Sequence, residues 1–372
     1  MHEMTGRERS LKAMNFEATD RLPIMANTLP ARFAQHLTGM SEEEYWNDQM
    51  EAQVRGMKIL GMDFYIQKWF PIREEAQRGW SPAETEQWRD VEKVVADLEQ
   101  ETAKMEANFR ARTAEEQEKF IQKVCAYQVE TQARLGEEVL WPFGMDAHGP
   151  ACLGFPYGKY GYEGFFLACA LYPDVLGRYW AAAARLERWH NECVAEAARR
   201  IDYPRIGYLG SDMTDQRGNM VSPRFMDRYF FPHLDYVLSP LVDDGFKLVW
   251  HSDGNMNDML RPLISIGIAG FQGFQEECGT RIADVARLRN RSGDPLILWG
   301  SVSVINVVGP GTFADIRREV QRVLDEWPHP GLCLGTSSYI APDVSEENII
   351  ELFRAMRTLG AVQRSLKRQI VG

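Results

Sequence analysis

The spacing of apolar and polar residues changes along the chain and marks out three regions. Over residues 1–80 short helical and strand-like signals alternate. SEEEYWNDQMEAQVRGMKILG (41–61) has helical spacing, with Ser41 in capping position and Glu44 three residues on. GMDFYIQKW (61–69) reads as a strand. Residues 82–138 are rich in Glu, Lys, Gln and Ala, with apolar residues at helical spacing. That pattern predicts long amphipathic helices forming an insertion or lid. From Tyr172 the pattern becomes regular. YPDVLGRYWAAAARLERWHNECVAEAARR (172–200) is a helix, and five strand-like runs follow: RIGYLG (205–210), FKLVWH (246–251), GFQGFQ (270–275), LILWG (296–300) and LCLGT (332–336). A loop and a helical run follow each, with Ser222-Pro223 and Glu346-Glu347 as two of the helix starts.

Strands alternating with helices imply parallel βαβ units. The expected fold is α/β: a distorted (β/α)8 barrel, one domain over 1–372, with its first three units in the N-terminal half. A doubly wound sheet is the competing architecture. It is weakened because neither GxGxxG nor GxxxxGK[ST] follows any strand-like run.

Composition narrows the function classes. With 42 Lys+Arg against 53 Asp+Glu, the net charge of −11 argues against a nucleic-acid surface, which needs clustered cations. No run of about 18 apolar residues appears, so no membrane span is expected. The opening MHEMTGRERSLKAMNFEATDR lacks the apolar stretch of a secretory signal. The six cysteines form no CxxC pair, which suits a reducing, cytoplasmic setting. The 82–138 helices also offer a surface for a homodimer.

In a parallel barrel the chemistry sits where the strands end. Asp212, Asp215 and Arg217 follow the first of the five runs, and Ser252, Asp253 and Asn255 follow His251, which closes the second. Glu276, Glu277 and Cys278 follow the third, Ser301 and Ser303 the fourth, and Ser338 and Tyr339 the last. Singly, such residues serve as helix caps or structural hydrogen-bonders. Together they put carboxylate, imidazole and hydroxyl groups on one rim. Three uses remain open. A zinc-centred site would draw on His251, Asp253 and Glu277, with Cys278 and Cys333 the nearest thiols. Cys333 lies mid-strand, where core packing is the simpler role. Metal-free acid–base catalysis would pair His251 with Asp212 or Glu277. Anion recognition without chemistry would rest on Arg217. The aromatic, glycine-rich stretch at 141–166, with His148, reads either as a pocket wall or as a packed loop.

Four segments resemble the uroporphyrinogen decarboxylase superfamily, which includes decarboxylases and zinc- and corrinoid-dependent methyltransferases. They are RERSLKAMNFEATDRLPI (7–24), GSDMTDQRGNMVSPRFMDRYFFPHL (210–234), KLVWHSDGNMNDMLRPLISIGIAGFQGFQEECG (247–279) and LCLGTSSYIAPDVSEENIIELFRAMRTLG (332–360). The resemblance implies a distorted TIM barrel. It also implies where this chain departs from its relatives. Uroporphyrinogen decarboxylases carry Arg-Gln-Ala-Gly-Arg-Tyr near the N-terminus to handle the porphyrinogen carboxylates. Here the corresponding MANTLPARFAQHL (25–37) keeps only Arg32. The coenzyme M methyltransferases hold zinc by His-x-Cys and a later Cys. In this chain His251 matches the first ligand, Asp253 stands at the second and Ser338 at the third. The HSDGN form resembles the corrinoid-dependent branch acting on small methylated substrates, in which oxygen and nitrogen ligands replace sulfur and Glu277 becomes an added ligand.

The resemblance therefore implies a methyltransferase moving a methyl group between a small methylated substrate and a corrinoid (cobalamin) on a separate carrier protein, assisted by zinc. In that reading His251, Asp212 and Glu277 are catalytic, and Arg217, Asn255, Ser338, Tyr339 and His148 bind substrate. The alternatives are a metal-free decarboxylase or lyase for a small carboxylated substrate, and a non-catalytic tetrapyrrole- or corrinoid-binding barrel.

Overall fold

The computed structural model describes residues 3–68, 70, 73 and 90–371, with side chains as far as 361. Residues 82–89 of the expected insertion lie outside the described residues.

Five parallel strands form the main sheet: β1 (Ile206–Gly210), β4 (Lys247–His251), β5 (Ile268–Gln272), β6 (Ile297–Trp299) and β7 (Leu332–Cys333), in the order β1-β4-β5-β6-β7. A hairpin of β2 (Thr214–Asp215) and β3 (Gly218–Asn219) stands apart on the loop after β1. The sheet's two edges are joined by three shorter parallel staves at 24–25, at 64 and at 140–143. Met25 N donates to Leu334 O (2.8 Å), Leu140 N to Asp63 O (2.8 Å) and Phe143 N to Ile206 O (2.9 Å). Three staves and five strands thus close an eight-stave parallel ring, the TIM barrel expected from the alternating pattern.

Alternation along the strands separates an inner core from an outer one. Met25, Phe64, Leu140, Ile206, Tyr208, Val249, Ile297, Trp299 and Cys333 pack inside the ring. Leu209, Leu248, Trp250, Phe271 and Leu298 face outward and pack under the helices. Cys333 is fully buried there, in the core role expected of it.

One strand differs from expectation. The run GFQGFQ pairs over Ile268–Gln272, earlier than 270–275, because Gly273 turns the chain at φ 57°. A Cβ there would sit 1.9 Å from Ser337 O, so only glycine fits.

The N-terminal end of the barrel is closed by the helix Gly6–Met14, capped by Thr5. Its Ala13 and Met14 complete the inner core, and Trp299 Nε1 donates to Met14 Sδ (3.1 Å). Beneath it lies a buried ionic network. Asp63, 1% exposed, accepts from Arg9 Nη1 (2.5 Å), Arg21 Nη1 (2.5 Å) and Ile24 N (2.9 Å).

The long helices Val91–Arg110 and Ala114–Leu135 both form, the second started by a Thr113–Glu116 capping box. This second helix is a wall element rather than a lid. It runs directly into the third stave, where Gln132 Nε2 donates to Val139 O (3.0 Å) and Trp141 N donates to Gln132 Oε1 (3.0 Å). Both helices lean on Pro173–Arg200, through Arg178–Glu99 (2.8 Å) and Arg200–Glu118 (2.8 Å). Among the described residues no helix is long and apolar enough to cross a membrane.

Candidate functional site

At the C-terminal rim, β1 and β4 end side by side, with Gly210 opposite His251. Their loops then cross-brace. Asp253 N donates to Asp212 Oδ1 (3.0 Å), and Met213 N donates to Ser252 Oγ (3.3 Å). Gly254 adopts φ 90°, and a Cβ on it would lie 2.7 Å from Asp215 O. Its N–H donates to Gln275 Oε1 (2.9 Å), tying in the loop after β5. The HSDG turn is thus held by hydrogen bonds from two neighbouring loops.

This bracing gathers Asp212, His251 and Asp253, whose ligand-capable atoms all lie within 4.8 Å of one another. His251 Nε2 is 3.9 Å from Asp212 Oδ1, too far for a hydrogen bond. His251 Nδ1 and Asp253 Oδ1 are buried with no partner among the described residues. Leaving such an atom unpaired costs about 1–3 kcal/mol. The Asp253 carboxyl is pushed above the usual range, first by burial and then by Asp212 and Glu277, against the pull of His251. Two carboxylates and an imidazole, with unpartnered atoms between them, fit a divalent cation bound by oxygen and nitrogen. No thiol belongs to the group. Cys278 lines the adjoining cleft outside the group, and burial and the nearby Glu277 and Asp253 push its pKa up.

The cleft measures about 450 Å³ and is lined by the β2–β3 hairpin, Asp253, Gly254, Gln275 and Cys278. Tyr157 stands within the field of Asp212 and Asp253. Burial, followed by their charge, raises its phenol pKa, so it remains a hydrogen-bond donor at neutral pH.

The remaining expected residues divide. Asp212 joins the metal-fitting group in the place expected for Glu277, which is exposed on the short turn Glu276–Cys278 and lies outside the group. Its neighbour Glu276 points the other way, to Arg322 Nη2 and Ile282 N. Arg217 lines the cleft with its side chain 86% exposed and bonds Asp215 through Nη2 (3.0 Å). Asn255 shapes the loop: its N donates to Asp215 O (2.8 Å), and its Oδ1 accepts from Asn257 N (3.2 Å). Ser338 and Tyr339 are half-buried on the segment after β7, next to Ser337, which accepts from Val304 N (3.3 Å). His148 sits in a separate cluster, stacked on Tyr127 (4.3 Å), whose hydroxyl donates to Asp146 Oδ2 (2.7 Å). Lys68 Nζ lies 4.0 Å above the same Tyr127 ring. The aromatic stretch is mostly packed interior, with Phe143, Phe155, Tyr160 and Phe165 buried.

Sequence reasoning missed Tyr208 and Gln272 on the inner wall. Tyr208 Oη donates to Gln272 Oε1 (2.9 Å) beside His251. The available signal was a glutamine inside an otherwise apolar strand run.

Comparisons with known proteins agree with this architecture. Residues 211–359 match the sequence profile of the family described as Uroporphyrinogen decarboxylase (URO-D). A uroporphyrinogen decarboxylase from Syntrophotalea carbinolica is 27% identical over 205 residues, covering 52% of this chain and 57% of that protein. The match therefore spans little more than half the length of that relative. A methyltransferase from Methanosarcina mazei superposes with a TM-score of 0.61 over 95% of this chain and 98% of that one, at 18% identity, which shows a shared fold.

Proposed function

We propose, from the match of residues 211–359 to the uroporphyrinogen decarboxylase family and the partial likeness to one such enzyme, that this chain transfers a methyl group between a small methylated substrate and a corrinoid on a separate carrier protein. In this reading Asp212, His251 and Asp253 hold a divalent metal, with zinc the first to test. The observation behind it is the convergence of these three side chains beside a buried Asp253 oxygen that nothing among the described residues satisfies. A bound divalent cation supplies Lewis acidity toward the heteroatom that carries the methyl group.

The chain's own residues supply the frame. Asp212 fixes the HSDG turn through the Asp253 N–H, and Gln275 fixes it through the Gly254 N–H. The Asp253 carboxylate is thereby presented to the cleft. The decarboxylase alternative would rest on Arg217 as the cation for a substrate carboxylate; Arg217 lines the cleft, held by Asp215 in an exposed pair.

The test is zinc content per chain in wild type and His251→Ala, followed by methylation of cob(I)alamin from a panel of methoxylated and methylated donors. Near-stoichiometric zinc that His251→Ala abolishes, together with turnover of one donor, is the expected result. Absence of zinc and of turnover in the wild type overturns the reading. A cobalamin spectral shift without turnover points instead to a binding barrel.

A further inference from the structure

Two buried polar side chains beside the metal-fitting group have no part in the site as described so far. Alternation places Tyr208 and Val249 inside the ring, with Leu209, Trp250 and Phe271 outside it. His251, two residues after Val249, and Gln272, next to Phe271, therefore face inward as well. They are register partners on adjacent strands β4 and β5. The Tyr208 and His251 ring centroids are 6.3 Å apart, and Tyr208 Oη holds Gln272 Oε1 at 2.9 Å.

Gln272 is 1% exposed, and its Nε2 has no partner among the described residues. The same is true of the neighbouring His251 Nδ1. An amide whose oxygen is pinned by a phenol has its NH2 group directed elsewhere. The nearest inward register partner with an unmatched nitrogen is His251.

We propose that Tyr208 and Gln272 are positioning residues for His251, with the Gln272 amide bonding His251 Nδ1 and so fixing which ring nitrogen faces Asp212 and Asp253. The amide serves in either sense. In the metal-free protein Gln272 Nε2–H donates to Nδ1, and the ring proton sits on Nε2, directed at Asp212 Oδ1. When Nε2 is a metal ligand the ring proton moves to Nδ1, and the turned-over amide accepts it through Oε1 while its NH2 donates to Tyr208 Oη. A hydroxyl both donates and accepts, so Tyr208 satisfies both arrangements. Burial and the nearby Asp253 and Asp212 hold that phenol protonated. Orientation of a ligating histidine through its second nitrogen is worth a large share of metal affinity.

The metal-bound half of this inference rests on the proposed site, and the metal-free half does not. The test uses full-length protein labelled with 15N at its seven histidines, with His251 assigned from the spectrum of His251→Gln. Recorded well above the ordinary imidazole range, metal-free wild type is expected to show the His251 ring proton on Nε2. Gln272→Leu is expected to mix the tautomers and weaken zinc binding about 10- to 100-fold by chelator competition. Gln272→Glu keeps an acceptor for Nδ1–H, so it restores zinc affinity to within a few-fold while losing the metal-free tautomer. Tyr208→Phe falls between, and it reads the same relay if Gln272→Leu does not fold. Unchanged 15N shifts and unchanged zinc affinity in Gln272→Leu and Tyr208→Phe overturn the proposal. Zinc failing to bind wild type overturns the metal reading of the site, and the tautomer measurement still decides this one.

Discussion

The two ends of the barrel bury charged side chains in opposite ways. At the N-terminal end, Asp63 sits between Arg9 and Arg21 and also accepts the Ile24 N–H, while Arg9 reaches on to Asp20 and Met4 O. Donors and acceptors there answer one another. At the C-terminal end, Asp212, His251 and Asp253 crowd two carboxylates beside an imidazole and leave Asp253 Oδ1 buried with no partner among the described residues. A buried polar group without a partner lowers stability unless something outside the chain supplies the missing contact. The closed network therefore reads as scaffold and the open one as a binding site, matching the usual division of labour between the ends of a (β/α)8 barrel.

The largest test of that contrast lies at the closed end. Asp63→Ala leaves Arg9, 2% exposed, facing a buried gap, and should destabilise the fold by about 3–5 kcal/mol, read from urea unfolding. A loss under about 1 kcal/mol would mean the network is ornamental and the contrast false. At the open end the expected result is the reverse. His251→Ala should cut methyl transfer at least about 100-fold and abolish metal retention, with the unfolding midpoint unchanged or raised. Equal destabilisation by both variants would erase the distinction between the two ends.

How much of this was legible depended on range along the chain. The HSDG turn could be found because LVWH is a clear strand ending in a titratable residue, and the strand–helix alternation after it fixes which end carries the site. The three N-terminal staves are too short to show a period: the second pairs at Phe64 alone. Asp63 and Arg9 lie 54 positions apart, and no local pattern announces their pairing. That Asp212 rather than Glu277 joins His251 and Asp253 was equally closed to sequence, because a bond between two loops, Asp253 N to Asp212 Oδ1 across 41 positions, brings it there. Gln272 was overlooked because its run was read as starting at Gly270. That placed it mid-strand, when it is the last paired residue beside His251.

A smaller effect separates the ends by pH. Burial raises the Asp20 carboxyl, but hydrogen bonds from Arg9, Met4 N and Arg21 N outweigh it and hold its pKa down to about 2. A carboxyl depressed in the folded state contributes stability above its unfolded pKa, and that contribution is lost as pH falls toward about 2. Wild type should therefore lose stability between about pH 4 and pH 2. Asp20→Asn should start weaker and show a shallower acid slope, measured as denaturant midpoints at pH 5 and pH 3. An identical slope in both proteins would remove Asp20 from the closed network.

The smallest effect concerns the rim, where the contrast is finest. Arg217 is a cation at the cleft, yet its side chain is 86% exposed and its partner Asp215 belongs to the same hairpin. An exposed pair of this kind is worth about 0–1 kcal/mol. Arg217→Ala should leave the unfolding midpoint and the metal content where they are. Its effect on methyl transfer distinguishes two roles for the hairpin. If the hairpin only covers the cleft, the KM for the methylated donor and kcat both stay within about threefold of wild type. If Arg217 leaves Asp215 to grip a substrate anion, KM rises tenfold or more with kcat unchanged, the signature of lost ground-state binding. The second result would carry the open network one residue further out along the rim and bring back a carboxylated substrate, now as the methyl donor.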